Sequence, residues 1–364
     1  MNFFKSIFGK KDEPIKSYAD FWKWFQIHEK TFYKHVKNNH DLEKGFFDKL
    51  SEKLDELKNG YFYLTGMLDE NTAELVLTAD GNLNNIAFVE DLVIAAPVIA
   101  GWKFTALKPA SDINEFAINM GGYTFDNENL FFYFNDHIDY PDEIDICVVH
   151  NDLSEENEGQ ISIGVQIYLE NYLGELDFVN TIDHFEIIGK HQAEKELVPI
   201  SKLKDFLKWR AKEFTEKYEG TRYDTNEDEH SLMEASLENG NKLIAVINNQ
   251  LLNWDRKASH PWIAALILAY DGNAHNGMPD DEDYETLDQI EEALLLELND
   301  NEGYLNIGRQ TANNERTIFF ACKDFRKPSK VFFKFQQNYS DQFEIEYDLY
   351  KDKYWQSFER FRAH

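Results

Sequence analysis

The sequence contains few cysteines and no long apolar run. Cys147 and Cys322 are the two cysteines in 364 residues, and both lie in apolar, strand-like stretches. They cannot form a disulfide framework, so we expect structural roles for both and a cytoplasmic location. The longest strongly apolar run, residues 262–270, has nine residues and is too short to span a bilayer as a helix. The N-terminus has no signal-peptide pattern.

Basic residues are far outnumbered by acidic ones. The chain has 37 Lys and Arg against 67 Asp and Glu, which gives a net charge of −30. Such a field repels nucleic-acid phosphates, because their binding depends on Lys and Arg displacing counterions. The composition therefore predicts no direct nucleic-acid binding. It is compatible with a basic protein partner, and equally with solubility alone.

Known catalytic and cofactor-binding motifs are missing. The sequence has no G-x-S-x-G elbow, no phosphate-binding G-x-x-x-x-G-K-[ST] loop and no G-x-G-x-x-G. His28 and Glu29 begin an H-E-x-x-H zinc motif, but Phe32 stands at the position of the second histidine. The next histidine, His35, lies two helical turns from His28, roughly 10 Å away. We expect no cofactor and no metal.

The first 15 residues are predicted to be a flexible tail. Four apolar side chains in residues 1–11 fall at helical spacing beside three lysines. Such a short amphipathic segment could make a weak contact with a membrane surface. A frayed tail, or a helix docked on the body of the protein, is the alternative that we favour.

Residues 16–220 are predicted to form an α+β domain. Phe21, Phe25 and Phe32 follow helical spacing after Ser17, and residues 41–58 show a second helical pattern. This helical hairpin is followed by strands and helices that indicate helices on a largely antiparallel sheet. The polar stretch that follows makes residues 221–230 the predicted linker.

Residues 231–364 are predicted to form a second α+β domain. Residues 232–237 and 242–247 resemble paired strands. The remaining pattern runs strand, helix, strand, strand, helix, strand, starting at Ile263. This β-α-β-β-α-β order is typical of ferredoxin-like domains, in which two helices cover one face of an antiparallel sheet.

Residues 270–292 read YDGNAHNGMPDDEDYETLDQIEE and resemble a metal site at first sight. A calcium loop would place Asp271, Asn273 and His275 at ligand positions. Histidine is not the hard oxygen donor that calcium prefers, and the glycine falls at the wrong position. The acids from Asp280 onward fit the first turn of a helix better, because negative side chains there complement the helix dipole.

Two loops of this domain remain candidates for binding a ligand or partner. The first covers residues 271–279, and the second is a predicted turn at 308–316. Polar, charged or turn-forming residues of these loops form the candidate site: Asp271, His275, Gly277, Pro279, Arg309, Thr311 and Arg316. If they converge, the protein could be an enzyme or a small-ligand-binding protein.

The last third of the chain contains a set of short motifs. They are HPW at 260–262, GMP at 277–279, LDQIEEALLLEL at 287–298, LNIGRQTANNERT from Leu305 and YWQSF from Tyr354. Through these motifs, residues 243–358 resemble a bacterial family known as domain of unknown function 695. The family implies no activity. The N-terminal region, through FWKWF, VEDLVIAAP and GWKF, resembles uncharacterised proteins of the Bacteroidetes.

The resemblance also suggests a role by analogy. In some bacterial proteins this domain looks to be joined to one similar to the acidic B-type regulators of ribonuclease E, whose own pattern is missing from residues 16–220. The analogy, the charge and the missing motifs together favour a non-enzymatic protein that binds, regulates or inhibits a partner. An immunity-type factor would fit the same features.

Overall fold

The computed structural model describes residues 14–112 and 117–362. The mixed α+β class is confirmed. The predicted membrane contact of residues 1–11 and a short helix expected near residue 113 lie outside the described residues. Ile15, the last residue of the predicted tail, is buried. Within the described ranges, we find no helix with the length and apolar character needed to cross a bilayer.

The chain divides into two compact units. The first contains the chain up to Ala110 together with Leu173–Leu176, and the second contains Ser111–Tyr172 and Asp177–His364. The predicted linker, residues 221–230, lies inside the second unit. Thr221 is buried there, and Thr225 donates from its backbone N–H and its hydroxyl to Asp300, at 2.8 and 3.0 Å. Polar residues of the 221–230 segment thus form hydrogen bonds within the second unit.

The first unit has helices packed on a three-stranded sheet. Its elements are α1 (Tyr18–Asn38), a π-helical turn (Glu43–Phe47) that continues as α2 (Asp48–Asp55), β1 (Phe62–Met67), β2 (Ala73–Thr78), α3 (Leu83–Ile94) and β3 (Trp102–Ala106). The strand order is β1-β2-β3. β3 runs parallel to β2, because α3 returns the chain to the starting end of the sheet. The predicted helical hairpin is present.

Aromatic side chains fill the core of the first unit. Ser17 caps α1 by accepting the backbone N–H of Asp20 at 3.2 Å. The helical spacing then places Phe25 and Phe32 on one buried face, with ring centroids 5.5 Å apart. The indole of Trp22 donates to the Leu92 carbonyl at 2.7 Å, so its polar atom is satisfied inside the core.

A buried carboxylate organises the polar part of the first unit. Glu175 is 2% exposed and accepts four hydrogen bonds, from the Thr78 hydroxyl and the backbone N–H groups of Ala79, Gly81 and Lys108, at 2.5, 3.1, 3.0 and 3.0 Å. These donors lie at the end of β2, just after it and just after β3. A buried carboxylate is stable only when its oxygens are satisfied in this way.

The first part of the second unit contains a strand pair and a four-stranded sheet. Its elements are β4 (Ile118–Met120), β5 (Tyr123–Phe125), β6 (Leu130–Asn135), β7 (Asp145–His150), α4 (Glu158–Leu173), α5 (Glu175–Thr181), β8 (His184–Gly189), β9 (Val198–Pro199) and α6 (Leu203–Tyr218). The end of α4 and the start of α5, Leu173–Leu176, belong to the first unit. We call the four-stranded sheet, of order β8-β7-β6-β9, the middle sheet. One largely antiparallel sheet was predicted for residues 16–220, and the number of sheets in that prediction is wrong. The described region has separate sheets, and helical crossovers make one pair parallel in two of them.

The C-terminal part of the second unit contains a six-stranded antiparallel sheet. Its elements are β10 (His230–Ser236), β11 (Lys242–Asn248), α7 (Asn249–Asn253), β12 (Trp262–Ala269), α8 (Asp281–Glu297), β13 (Tyr304–Ala312), β14 (Glu315–Cys322), α9 (Arg326–Tyr339) and β15 (Glu344–Lys351). The strand order is β10-β11-β13-β14-β12-β15. The predicted β-α-β-β-α-β order runs from β12 to β15, and the β10–β11 hairpin extends the sheet beyond it.

This six-stranded sheet is covered on both faces. Neighbouring residues of a strand point to opposite faces. The Phe320 ring accordingly lies 6.3 Å from Phe332 of α9, whereas the Phe319 ring lies 5.1 Å from Phe358 on the other side. The short 3-10 helix Gln356–Phe361 and α7 cover that second face. The prediction of helices on one face alone is therefore wrong. It missed these two elements because they have too few residues to show a clear helical period.

The predicted turn at 308–316 is wrong. Gly308 sits in a β-bulge of β13 with φ 137°, where a Cβ atom would lie 2.1 Å from the Val246 carbonyl oxygen. The strand continues to Ala312, and the turn is Asn313–Asn314, both with positive φ. The sequence suggested a turn at Gly308 because glycine is common in turns and bulges alike. Arg309 and Thr311 therefore belong to a strand.

Replacing Glu175 by Gln should strongly destabilise the first unit. The amide nitrogen would face two N–H or O–H donors in place of an acceptor. We expect the free energy of unfolding to fall by roughly 2 kcal/mol or more, as for a buried donor left unpaired. Chemical denaturation measures this. Glu70→Gln, at an exposed position of the same unit, is the control, and equal effects of both variants would contradict the assignment.

Candidate functional site

The structure brings three of the predicted site residues together beneath α8. Arg316 is 1% exposed, donates to Asp288 at 2.6 Å and to the Thr311 hydroxyl at 3.2 Å. Arg309 donates to Glu291 at 2.6 Å. Both carboxylates belong to α8. Each arginine is thus paired with an acid of the helix that covers it, and the cluster holds α8 on the sheet.

The other four predicted residues lie in or beside the loop before α8. The Gly277 carbonyl accepts the Tyr270 hydroxyl at 3.0 Å and the Asn314 backbone N–H at 2.9 Å. The loop and the Asn313–Asn314 turn therefore share one end of the sheet. Asp271 accepts the backbone N–H of Asn273 at 3.2 Å, His275 is exposed, and Pro279 precedes the helix cap.

The acids after this loop begin a helix, as predicted. Asp280 is the N-cap of α8 and accepts the backbone N–H of Asp283 at 2.9 Å. Three further acids follow in the first turn. Within the described part of the chain, no group of three or more His, Cys, Asp or Glu side chains could hold a metal ion. Both cysteines are buried, as expected from their apolar surroundings.

A cavity of about 290 Å³ lies elsewhere in the second unit, and its lining contains five cations and one acid. We call it the cationic pocket. Its charged lining residues are Arg210, Lys323, Arg326, Lys351, Lys353 and Asp324. Its apolar wall is formed by Ile144, Phe214, Pro261 and Trp262. Such a preponderance of cations is unexpected in a chain of net charge −30.

Two of these lysines share one buried carboxylate. Asp183 lies 2.9 Å from the Lys351 ammonium and 2.7 Å from that of Lys353. Lys351 also donates to the Asn180 carbonyl and Lys353 to the Asp142 carbonyl, both at 2.7 Å. Burial lowers the pKa of Lys351 to about 8, although Asp183 opposes this shift. Burial would raise the pKa of Asp183, but the two lysines outweigh it and lower that pKa.

Further polar contacts surround the cationic pocket. Asp142 accepts the hydroxyl of Tyr354 at 2.6 Å and that of Tyr218 at 2.7 Å. Gln356 donates to Glu143 at 2.8 Å. The YWQSF segment is therefore bound to the loop before β7. The sequence gives no hint of these pairs, because more than 200 residues separate Asp142 from Tyr354.

Sequence reasoning did not identify the cationic pocket. With 67 acids in the chain, neither Asp142 nor Asp183 stands out. One signal was present at Lys351 and Lys353. Residues spaced by two along an extended strand point to the same side, so two lysines at the end of a strand can reach one acceptor. Arg210, on a helix more than 100 residues away, shows no comparable signal.

His260 lies beside this region and is completely buried. Its Nδ1 lies 2.8 Å from the Ser259 hydroxyl, and its carbonyl accepts the Trp355 indole N–H at 3.0 Å. Within the described residues, its Nε2 atom has no hydrogen-bond partner. The HPW and YWQSF motifs thus meet in one core. Burial lowers the pKa of His260 to about 3.

A second concavity, of about 630 Å³, lies near α7. It is lined by Tyr223, Trp254, three side-chain amides, and the acids Glu229 and Asp255. No base lines it among the described residues, so it differs in charge from the cationic pocket. Its indole and phenol rings pack edge to face, with centroids 5.0 Å apart.

Residues 234–361 match the model of a family described as Family of unknown function (DUF695). The match includes every motif on which the resemblance of the last third rested. The description names no activity. No curated protein and no solved structure matches the chain.

Replacing Asp183 by Asn should leave two buried ammonium groups without their carboxylate. We expect a loss of roughly 3–5 kcal/mol in the free energy of unfolding at neutral pH, as when one partner of a buried ion pair is removed. Because the folded-state pKa of Asp183 is lowered, its stabilisation is complete above the unfolded value of 3.8 and is lost below it. Denaturation at several pH values tests this.

The matched control for Asp183 is Asp348→Asn, at an exposed position of β15. We expect a change within about 0.5 kcal/mol there, as for ordinary surface substitutions. A loss for Asp183→Asn no larger than this would show that the lysines do not depend on Asp183.

His260 should make the stability depend on pH. Its pKa falls from 6.5 in the unfolded chain to about 3 in the folded protein, so folding opposes protonation. The contribution is complete above pH 6.5 and is lost at up to ~1.4 kcal/mol per pH unit as the pH falls toward 3. In His260→Asn this part of the pH dependence should disappear, whereas His275→Asn should retain it. Denaturation curves that fall in parallel for all three proteins would refute this role.

Proposed function

We propose that this protein is a non-enzymatic, cytoplasmic binding protein that captures a basic protein partner through the outer face of α8. A regulatory, inhibitory or immunity-type role is the corresponding biological function. The observation that supports it is the composition of α8. This helix has eight acidic residues and no lysine or arginine.

The acids of α8 divide into two groups. Asp288 and Glu291 face the sheet and pair with Arg316 and Arg309. On the outer side, Glu282, Glu285 and Glu292 are exposed to solvent. Because opposite charges steer two proteins together, this face favours a partner rich in Lys and Arg.

The negative charge at the start of α8 is concentrated enough to affect ionisation. Burial raises the pKa of Asp283, and the neighbouring carboxylates Asp280, Glu282 and Asp271 raise it further. Like charges held this close destabilise one another. A cation placed over them by a partner would relieve that repulsion.

Large apolar side chains lie on the same helix. Leu296 is 83% exposed, Tyr284 46% and Leu295 43%. Glu285, Glu292 and Leu296 are spaced by seven and four residues, so they share one side of the helix. Apolar anchors surrounded by charged residues are typical of protein interfaces, in which the anchors supply affinity and the charges supply selectivity.

The alternative, an enzyme or small-ligand protein with a site at loops 271–279 and 308–316, has less support. Arg309 and Arg316 are already paired with carboxylates. Thr311 is used by Arg316. The resemblance to regulator-linked domains and the β-α-β-β-α-β order, which would make the domain ferredoxin-like, favour binding by analogy alone.

Charge reversal on α8 tests the proposal. The variant Glu282→Lys, Glu285→Lys and Glu292→Lys should lose a partner that the unmodified protein retains from cell lysate at low salt. We expect at least tenfold weaker binding, about 1.4 kcal/mol, since several rim charges change sign together. High salt should release the same partner.

The control reverses three exposed acids elsewhere, Glu155→Lys, Glu156→Lys and Glu158→Lys, so the net charge changes equally. This variant should retain the partner. Failure to capture any protein at either salt concentration, or equal loss in both variants, would argue against α8 as the binding face.

A further inference from the structure

We propose that the cationic pocket binds a small phosphorylated molecule, with the phosphate between its arginines and lysines and the organic part against Trp262 and Phe214. This inference does not depend on the proposed role of α8, which lies on a different part of the second unit. It rests on the charge, the shape and the lining of the cavity.

The charge of the cationic pocket favours an anion. Five cations line it, with Asp324 as the acid in the described lining. Two further carboxylates, Asp183 and Glu143, act on Lys351 from behind the wall. The cations still outnumber these three acids. Positive charge held in excess at a partly buried site is costly, and a bound anion would offset that cost.

The guanidinium groups give the pocket phosphate-binding chemistry. Arg210 donates through one terminal nitrogen to the carbonyls of Pro141 and Glu143, at 2.7 and 3.3 Å. Both acceptors are neutral, so the Arg210 charge is not cancelled by these two contacts. Arg326 donates to Asp324 at 2.7 Å. The planar, multidentate donors of arginine suit phosphate oxygens better than a point charge does.

The backbone adds to the positive potential. α9 has 14 residues and begins at Arg326, so the positive end of its dipole lies at the wall of the cationic pocket. Asp324 accepts the Arg326 backbone N–H at 2.8 Å, which satisfies one of the free donors of this first turn. Pro328, the third residue of α9, has no N–H, and the Ser329 N–H donates to the Phe325 carbonyl at 3.1 Å, so this helix end contributes mainly its dipole.

The size and apolar wall of the pocket limit the ligand. A volume of about 290 Å³ holds more than an inorganic phosphate but less than a dinucleotide. Trp262 is largely buried and contacts Phe325 edge to face, with centroids 4.8 Å apart, so the wall is rigid. A small phosphomonoester with a ring or short carbon chain fits these limits.

Calorimetric titration of the full chain with inorganic phosphate and with phenyl phosphate tests the inference, at constant ionic strength. We expect saturable binding of one molecule per chain. Tighter binding of phenyl phosphate would identify the apolar wall as part of the site. Equal affinity for both probes would indicate an anion site without ester selectivity and would overturn the assignment of the organic part.

Matched variants locate the binding. Arg210→Gln with Arg326→Gln should weaken binding at least tenfold, because each charge-assisted hydrogen bond contributes strongly. Lys212 and Lys330 lie on the same two helices but outside the lining. The control variant Lys212→Gln with Lys330→Gln should therefore leave the affinity unchanged. If circular dichroism shows that the double variant is unfolded, Arg210→Gln alone replaces it. This single variant removes hydrogen bonds to two neutral carbonyls and leaves the ion pair of Arg326 with Asp324 intact.

The inference is overturned if neither probe binds at millimolar concentration. It is also overturned if both variant pairs lose affinity equally, because binding would then follow net charge. Neither result affects the assignment of α8 as a partner-binding face, which the lysate experiment decides separately.

Discussion

The contact of Asp183 with two buried lysines is the interaction on which the second unit depends. Lys351 and Lys353 come from the end of the six-stranded sheet, and Asp183 precedes β8 of the middle sheet. Ammonium groups this deeply buried require a carboxylate. The same arrangement places the lysines at the wall of the cationic pocket, so stability and the chemistry of that cavity have one origin.

The elements with long, regular patterns could be predicted from the sequence. Helices α1 and α8 have apolar residues at helical spacing and good capping residues, and the local chain determines both features. The order of strands and helices after β12 was also predictable. Periodicity could not reveal the second cover of the six-stranded sheet, because Gln356–Phe361 is a short 3-10 helix whose residues are buried by distant partners.

The candidate site was harder to predict, because its residues meet through the tertiary fold. Arg309 and Arg316 were predicted as binding residues, and the structure pairs each of them with a carboxylate of α8. Arg210 and Lys323 are distant in sequence and ordinary in local context. Gly308 was misassigned for a local reason. Glycine occurs both in turns and in β-bulges, so the residue type alone does not distinguish them.

The YWQSF segment has a consequence for how the C-terminal region folds. It lies within the matched region 234–361, yet Tyr354 and Gln356 bind Asp142 and Glu143, well outside it. A fragment limited to the matched region would leave these polar groups and both lysines without their partners. We therefore expect the middle sheet and the six-stranded sheet to unfold together, as a unit wider than the family match.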